Sequence, residues 1–158
     1  MISIDDAHEG TLEPIKYDDD IVSNFLNSLY GDNLLKNTSI FLLSDHGSAL
    51  PSIYYLSDFY KIEARLPVLF IIINDRKDIN YNQQYYNINK NQQTFITGYD
   101  IYNTLCNIIY GDNYINIHNK TKYQDTPKSQ QGKSLFEEIN QKERHPKNYD
   151  NRDINICI

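Results

Sequence analysis

Thr38-Ser39-Ile40-Phe41-Leu42-Leu43-Ser44-Asp45-His46-Gly47 is the stretch on which the fold turns. Four successive large apolar residues between polar neighbours are too few for a buried helix and read as a short strand covered on both faces. The strand runs directly into Ser44-Asp45-His46-Gly47, which places those four residues at its C-terminal end. Upstream, Val22, Phe25, Leu26 and Leu29 fall at i, i+3, i+4 and i+7 within Ile21 to Tyr30, the spacing of an amphipathic helix. Asp18-Asp19-Asp20 sits at the expected positive end of that helix, and Gly31-Asp32-Asn33 stops it. Downstream, Pro67-Val68-Leu69-Phe70-Ile71-Ile72-Ile73 is a second buried strand, rich in β-branched residues and ending at Asn74-Asp75. Helices and doubly buried strands in one chain predict an α/β layer architecture.

Residues 75–95 are polar and repetitive, dominated by Asn, Gln and Tyr, and read as a long loop or insertion. Thr97-Gly98-Tyr99-Asp100 has the form of a capping box, and Ile101, Leu105, Ile108 and Ile109 make one apolar helical face before Gly111. Beyond Asp112 the chain is mostly polar, with a short helix expected from Ser134-Leu135-Phe136-Glu137. Residues 141–158 read as a polar tail that packs only against a partner or a missing part. No internal repeat of solenoid type is present.

The chain has 158 residues, the size of one ordinary domain or a piece of a larger one. With 40% hydrophobic and 23% charged residues it can form a core, which excludes wholesale disorder. The longest strongly apolar run, Leu66 to Ile73, is far below the roughly 18 to 20 residues of a membrane span. Mean hydropathy is -0.62. Met1-Ile-Ser-Ile-Asp-Asp has neither a basic nor an apolar leader region, so no signal peptide is visible at this N-terminus. Fifteen Lys and Arg against 21 Asp and Glu give a net charge of -6 with no basic stripe, which argues against nucleic acid as the partner.

Twenty-two Ile, 19 Asn and 14 Tyr fill over a third of the positions, a bias of the kind AT-rich coding produces. Asn and Tyr clusters are discounted on that ground. Cys106 and Cys157 fit no zinc spacing and allow at most one intramolecular bridge. Asn37-Thr38-Ser39 and Asn119-Lys120-Thr121 match the N-glycosylation sequon and tilt the expected setting towards the secretory pathway or cell exterior.

Chemistry gathers at Ser44-Asp45-His46-Gly47. On the bend past a strand end, a carboxylate and an imidazole on adjacent residues can converge on one divalent cation, and the glycine permits a tight turn. In open α/β sheets ligands collect at this edge. The bland reading of the same residues is that Asp45 caps a turn and His46 is a satisfied, partly buried imidazole. Asp18-Asp19-Asp20 is read as helix-terminal charge rather than a cation site. His118 and His145 have no partner at ligand spacing, and there is no Gly-rich phosphate loop, GxSxG elbow or HExxH.

An ordered series of segments adds to this. Asp6-Ala7-His8-Glu9-Gly10-Thr11-Leu12-Glu13, an acidic-capped helix and Asn37 through Gly47 come first. Glu63-Ala64-Arg65-Leu66-Pro67, Thr97-Gly98-Tyr99-Asp100-Ile101-Tyr102-Asn103-Thr104-Leu105 and Gly132-Lys133-Ser134-Leu135-Phe136 follow. Together they resemble the C-terminal half of sulfatase-like members of the alkaline phosphatase superfamily, most nearly the eukaryotic family labelled DUF229, over residues 1–140. The resemblance implies a three-layer α/β/α fold and a metal-dependent hydrolase or phosphotransferase acting on sulfate or phosphate esters. It implies Asp45 and His46 as metal ligands and His8 as a contact to the transferred group or a second metal. Zn²⁺, Mn²⁺ and Ca²⁺ fit a mixed nitrogen and oxygen site in decreasing order, since Ca²⁺ sites usually hold only oxygen. Asp6 and Glu9 read as solvated acids.

The family's nucleophile lies upstream of the region matched, and no part of residues 1–158 corresponds to it, so no catalytic nucleophile is assigned here. Ser48-Ala49-Leu50-Pro51 stands where relatives place basic or glycine-rich contacts, Glu63-Ala64-Arg65 lacks one of the paired acids, and the C-terminal cysteine pattern is reduced to Cys157. A truncated copy, a gene-model fragment or a degenerate homologue is expected. The rival function is a catalytically inactive homologue serving as a binding module.

Overall fold

Pro14 opens the first helix because its ring fixes φ near the helical value and its missing N–H is one the first turn leaves unbonded anyway. Helix α1 runs Pro14–Gly31, so Asp18, Asp19 and Asp20 lie inside it and not at its N-terminus, as their charge alone suggests. Val22, Leu26 and Leu29 form a half-buried stripe, whereas Phe25, the fourth member of the sequence pattern, is 45% exposed. The computed structural model describes residues 4, 13–31, 34–36, 38–47, 58–64, 66–73, 81–111, 132–144 and 156–157.

The chain divides into two units, Met1–Phe41 with Ile71–Arg76, and Leu42–Phe70 with Lys77–Ile158. The first holds α1 and a 3₁₀ turn at Leu34–Lys36 that packs on it. The second holds most of the remaining elements. In chain order after α1 these are β1 (Ile40–Leu43), α2 (Asp58–Glu63), β2 (Leu69–Ile72), α3 (Tyr81–Asn91), β3 (Ile96–Thr97), α4 (Gly98–Tyr110) and β4 (Ile156–Cys157). Strands β1 and β2 are neighbours in one two-stranded sheet, and β3 and β4 pair antiparallel in another, with Ile96 opposite Cys157 and Thr97 opposite Ile156. The architecture is mixed α/β. Among the described residues no helix is long and apolar enough to cross a membrane.

Several sequence expectations are corrected. Both strands fall where expected, but neither is doubly covered: Leu42 and Leu43 of β1 are exposed, as are Phe70 and Ile72 of β2 and Val68 just before it. A strand closed on both faces needs a layer on each side, and the described residues do not supply it. The polar stretch read as a loop contains an eleven-residue helix, α3. No helix forms at Ser134 to Glu137. That segment is a turn closed by Glu137 N–H on the Ser134 carbonyl, with Leu135 N–H on Thr104 Oγ1 and Phe136 N–H on Ser134 Oγ. The C-terminal segment read as a polar tail is anchored in its own chain, by a 3₁₀ turn at Gln141–Glu143, by buried Arg144 and by β4 against β3.

The core around α4 is the largest departure from the sequence pattern. Ile101 is buried, but Leu105 and Ile109 are exposed, and the buried face carries Asp100, Asn103, Thr104 and Asn107. This face repeats at i, i+3, i+4 and i+7 as an apolar face does, with polar side chains of which Asp100, Thr104 and Asn107 find hydrogen-bond partners indoors while Asn103 Oδ1 is buried without one. Lys133 N–H reaches Asp100 Oδ1 at 2.7 Å, Leu135 N–H reaches Thr104 Oγ1 at 2.8 Å, and Ser134 Oγ donates to Asn107 Oδ1 at 3.0 Å. From α3, Asn87 Nδ2 donates to the Phe136 carbonyl at 2.7 Å. Asn91 Nδ2 donates to the Leu135 and Glu137 carbonyls, and Asn91 Oδ1 accepts Ile139 N–H. The segment 132–139 is thus held as a strap, its backbone bonded to side chains in place of a helix or sheet ladder.

Two glycines make this possible. Gly111 takes φ 62°, ends α4 and returns its N–H to the Asn107 carbonyl. Gly132 lies so close to α4 that a Cβ there would stand 2.6 Å from the Tyr99 carbonyl oxygen and 2.7 Å from Asn103 Nδ2.

Candidate functional site

Strand β1 delivers Ser44 to the start of β2, and two hydrogen bonds to one residue fix it there. Ser44 N–H donates to the Val68 carbonyl at 3.1 Å, and Val68 N–H donates to Ser44 Oγ at 3.0 Å. Three residues on, Gly47 N–H donates to the carbonyl of buried Ala64 at 3.2 Å, and Ala64 in turn closes α2 through its N–H on the Tyr60 carbonyl. The bend Asp45-His46 is therefore tied at both ends to one segment, residues 64–68.

Between those ties the two side chains orient one another. Asp45 Oδ1 accepts the His46 backbone N–H at 2.9 Å. His46 Nδ1 lies 2.7 Å from the Gly47 carbonyl oxygen. A carbonyl only accepts, so the ring nitrogen facing it is the protonated one, and in neutral imidazole Nε2 then carries the lone pair. His46 Nε2 stands 3.5 Å from Asp45 Oδ2, with side-chain exposures of 36% and 78%. Two electron-rich atoms held at that separation attract a cation between them, either a proton on the ring or a metal ion. Two ligands about 2.1 Å from a tetrahedral metal are themselves about 3.4 Å apart, so the donor set and its spacing fit a Zn²⁺-type ion.

Asp45 and His46, paired in the sequence reading, are thus brought together with converging atoms on an accessible turn. Among the described residues no group of three or more His, Cys, Asp or Glu side chains gathers at a point. His8 lies outside the described residues, as do Asp6, Glu9, His118, His145 and both sequon asparagines, and so do the side chain of Glu63 and all of Arg65. Asp18 to Asp20 are built into α1. Cys106 is a free thiol.

The sequence reading missed what holds the turn. Ser44 was legible only as a polar residue ending a strand; that its hydroxyl meets the amide of Val68 depends on strand register, which nothing local specifies. It also missed the second polar centre, where Asp100 accepts from both terminal guanidinium nitrogens of Arg144, Nη1 at 3.0 Å and Nη2 at 2.8 Å. The capping box pointed to Asp100, and Thr97 N–H does reach Asp100 Oδ2 at 2.7 Å. Its arginine partner stands 44 residues away.

One family model, described as "Protein of unknown function (DUF229)", matches residues 4–148. The chain belongs to the DUF229 family. The match runs through the 44–47 turn, α4 and the strap, and stops just beyond Arg144. No curated protein and no solved structure matches the chain.

Proposed function

We propose that this DUF229 chain carries the metal-binding corner of a sulfatase-like α/β/α domain that cleaves or transfers sulfate or phosphate ester groups. The observation that carries the reading is the convergence of Asp45 Oδ2 and His46 Nε2, 3.5 Å apart on an accessible turn at a strand end. Asp45 offers a carboxylate and His46 an imidazole, the mixed set that suits Zn²⁺ or Mn²⁺ better than Ca²⁺. When bound, such an ion supplies Lewis-acid polarisation of a sulfate or phosphate oxygen.

The chain's own residues do the orienting. The Asp45 carboxylate is set by the His46 amide, and the His46 ring is set by the Gly47 carbonyl. Orientation of a ligating imidazole through its other nitrogen is the usual way such a ligand is held in one tautomer. His8, from the sequence resemblance, is the residue assigned to the transferred group.

The test is calorimetric titration of the chain with Zn²⁺, beside Asp45→Ala and His46→Ala. Saturable binding by the wild type is expected, with loss of at least tenfold in affinity in each variant and an unchanged metal-free unfolding midpoint. Near-wild-type binding by either variant overturns the assignment.

A further inference from the structure

We infer that Ser44 is a positioning residue for the Asp45–His46 pair, acting through the backbone of Val68; the inference rests on the metal-binding reading above. Ser44 grips both backbone groups of one residue, the Val68 carbonyl with its N–H and the Val68 N–H with its hydroxyl. In an ordinary antiparallel pair the second of these bonds goes to a backbone carbonyl. Here the serine hydroxyl takes that amide, so the chain can leave the sheet at Ser44 and still be held there.

The departure is what turns Asp45 and His46 towards a common point. Within a continuing strand, adjacent side chains project to opposite faces. Here the chain bends over residues 45–47, and the bend is closed on its far side by Gly47 N–H on the Ala64 carbonyl. The same glycine offers its carbonyl to His46 Nδ1. Ser44 at one end and Gly47 at the other thus set both the carboxylate–imidazole spacing and the imidazole tautomer. Of the two ties, only that at Ser44 uses a side chain, so only it can be removed by substitution without altering the backbone.

Removing a group that orients a ligand typically costs about 10- to 100-fold in metal affinity. Ser44→Ala is expected to weaken Zn²⁺ binding about tenfold by calorimetry, and Ser44→Thr, which keeps the hydroxyl, to stay within about threefold of wild type. A second readout needs no metal: long-range ¹H–¹⁵N spectra of the neutral His46 ring are expected to show the Nδ1–H tautomer in wild type and Ser44→Thr, and a mixture in Ser44→Ala. If Ser44→Ala matches wild type in affinity and tautomer while Asp45→Ala loses binding, the positioning role is overturned and the metal reading stands. If Ser44→Ala and Ser44→Thr weaken equally, the hydroxyl is not the agent and the role is again overturned. If Asp45→Ala, His46→Ala and Ser44→Ala all bind as wild type does, the metal reading falls and takes this inference with it.

Discussion

Asp100 and Asp45 each stand beside a nitrogen-bearing side chain at the end of a secondary-structure element, in opposite surroundings. Asp100 is fully buried at the start of α4 and accepts five hydrogen bonds, from Thr97 N–H, Thr97 Oγ1, Lys133 N–H and two nitrogens of Arg144. Asp45 is 78% exposed in its side chain, uses Oδ1 on the neighbouring amide and turns Oδ2 towards His46 Nε2. Every lone pair of Asp100 is committed to holding the chain together. Asp45 faces the imidazole of its neighbour on an accessible bend. A carboxylate saturated by its own protein is a fastener, whereas one on an exposed bend beside an imidazole is the kind on which the metal-binding proposal rests.

The sharpest way to break this contrast is to measure stability at both sites. Arg144→Ala leaves the Asp100 charge buried without its main partner, and removal of one member of a buried pair costs about 3–5 kcal/mol. Urea unfolding followed by circular dichroism is expected to show a loss of that size, or outright failure to fold. Asp45→Ala in the same assay is expected to change stability by no more than about 0.5 kcal/mol, as surface substitutions usually do. Comparable losses at the two sites would show that Asp45 too is chiefly structural.

A smaller effect sharpens the structural half. Gly132→Ala would put a methyl 2.6 Å from the Tyr99 carbonyl oxygen. That oxygen belongs to the backbone of α4 and cannot swing aside, so the strap must lift. Overpacking of this kind costs about 1–3 kcal/mol. Thermal unfolding should register the loss, and hydrogen exchange should show it concentrated at the amides of Lys133 and Leu135, which the strap presents to Asp100 and Thr104. Unchanged protection at those amides would mean that the strap does not depend on close approach.

The two regions also differ in how far the sequence reveals them. Strand β1, its exit into Ser44-Asp45-His46-Gly47 and the capping box before α4 were all legible, because each is written in consecutive residues. The start of α1 was misplaced by attending to the charge of Asp18 to Asp20 and not to Pro14. The polar core escaped because its logic is reversed: Asn87 and Asn91 on α3, and Asn103 and Asn107 on α4, are paired four apart and buried. In a chain with 19 Asn that pattern is masked by composition. The apolar pattern at helical spacing instead includes Leu105 and Ile109, which the structure exposes. No reading of neighbours could have joined Asp100 to Arg144 or Ser44 to Val68, since both contacts are fixed by tertiary register.

The mildest expected effect belongs to the rim of the strap, where Lys90 of α3 meets Glu138. The hydrogen bond from Lys90, and after it the lysine charge, hold the Glu138 carboxyl below the usual glutamate range. The same hydrogen bond holds Lys90 above its ordinary value. A lowered carboxyl pKa favours the fold above the unfolded-state value and loses that contribution as pH falls through the folded one. A raised lysine pKa favours it below the unfolded value and loses it as pH rises through the folded one. The pair therefore contributes across the neutral range and fades at both extremes. Both groups are open to solvent, where screening makes such pairs weak. A carbon-detected NMR titration of Glu138 is expected to show its midpoint rise towards that of an ordinary glutamate in Lys90→Met, and in wild type as salt is added. If the midpoint ignores both changes, Lys90 does not set it, and the strap is held by Asn87, Asn91 and Thr104 without help from this charge pair.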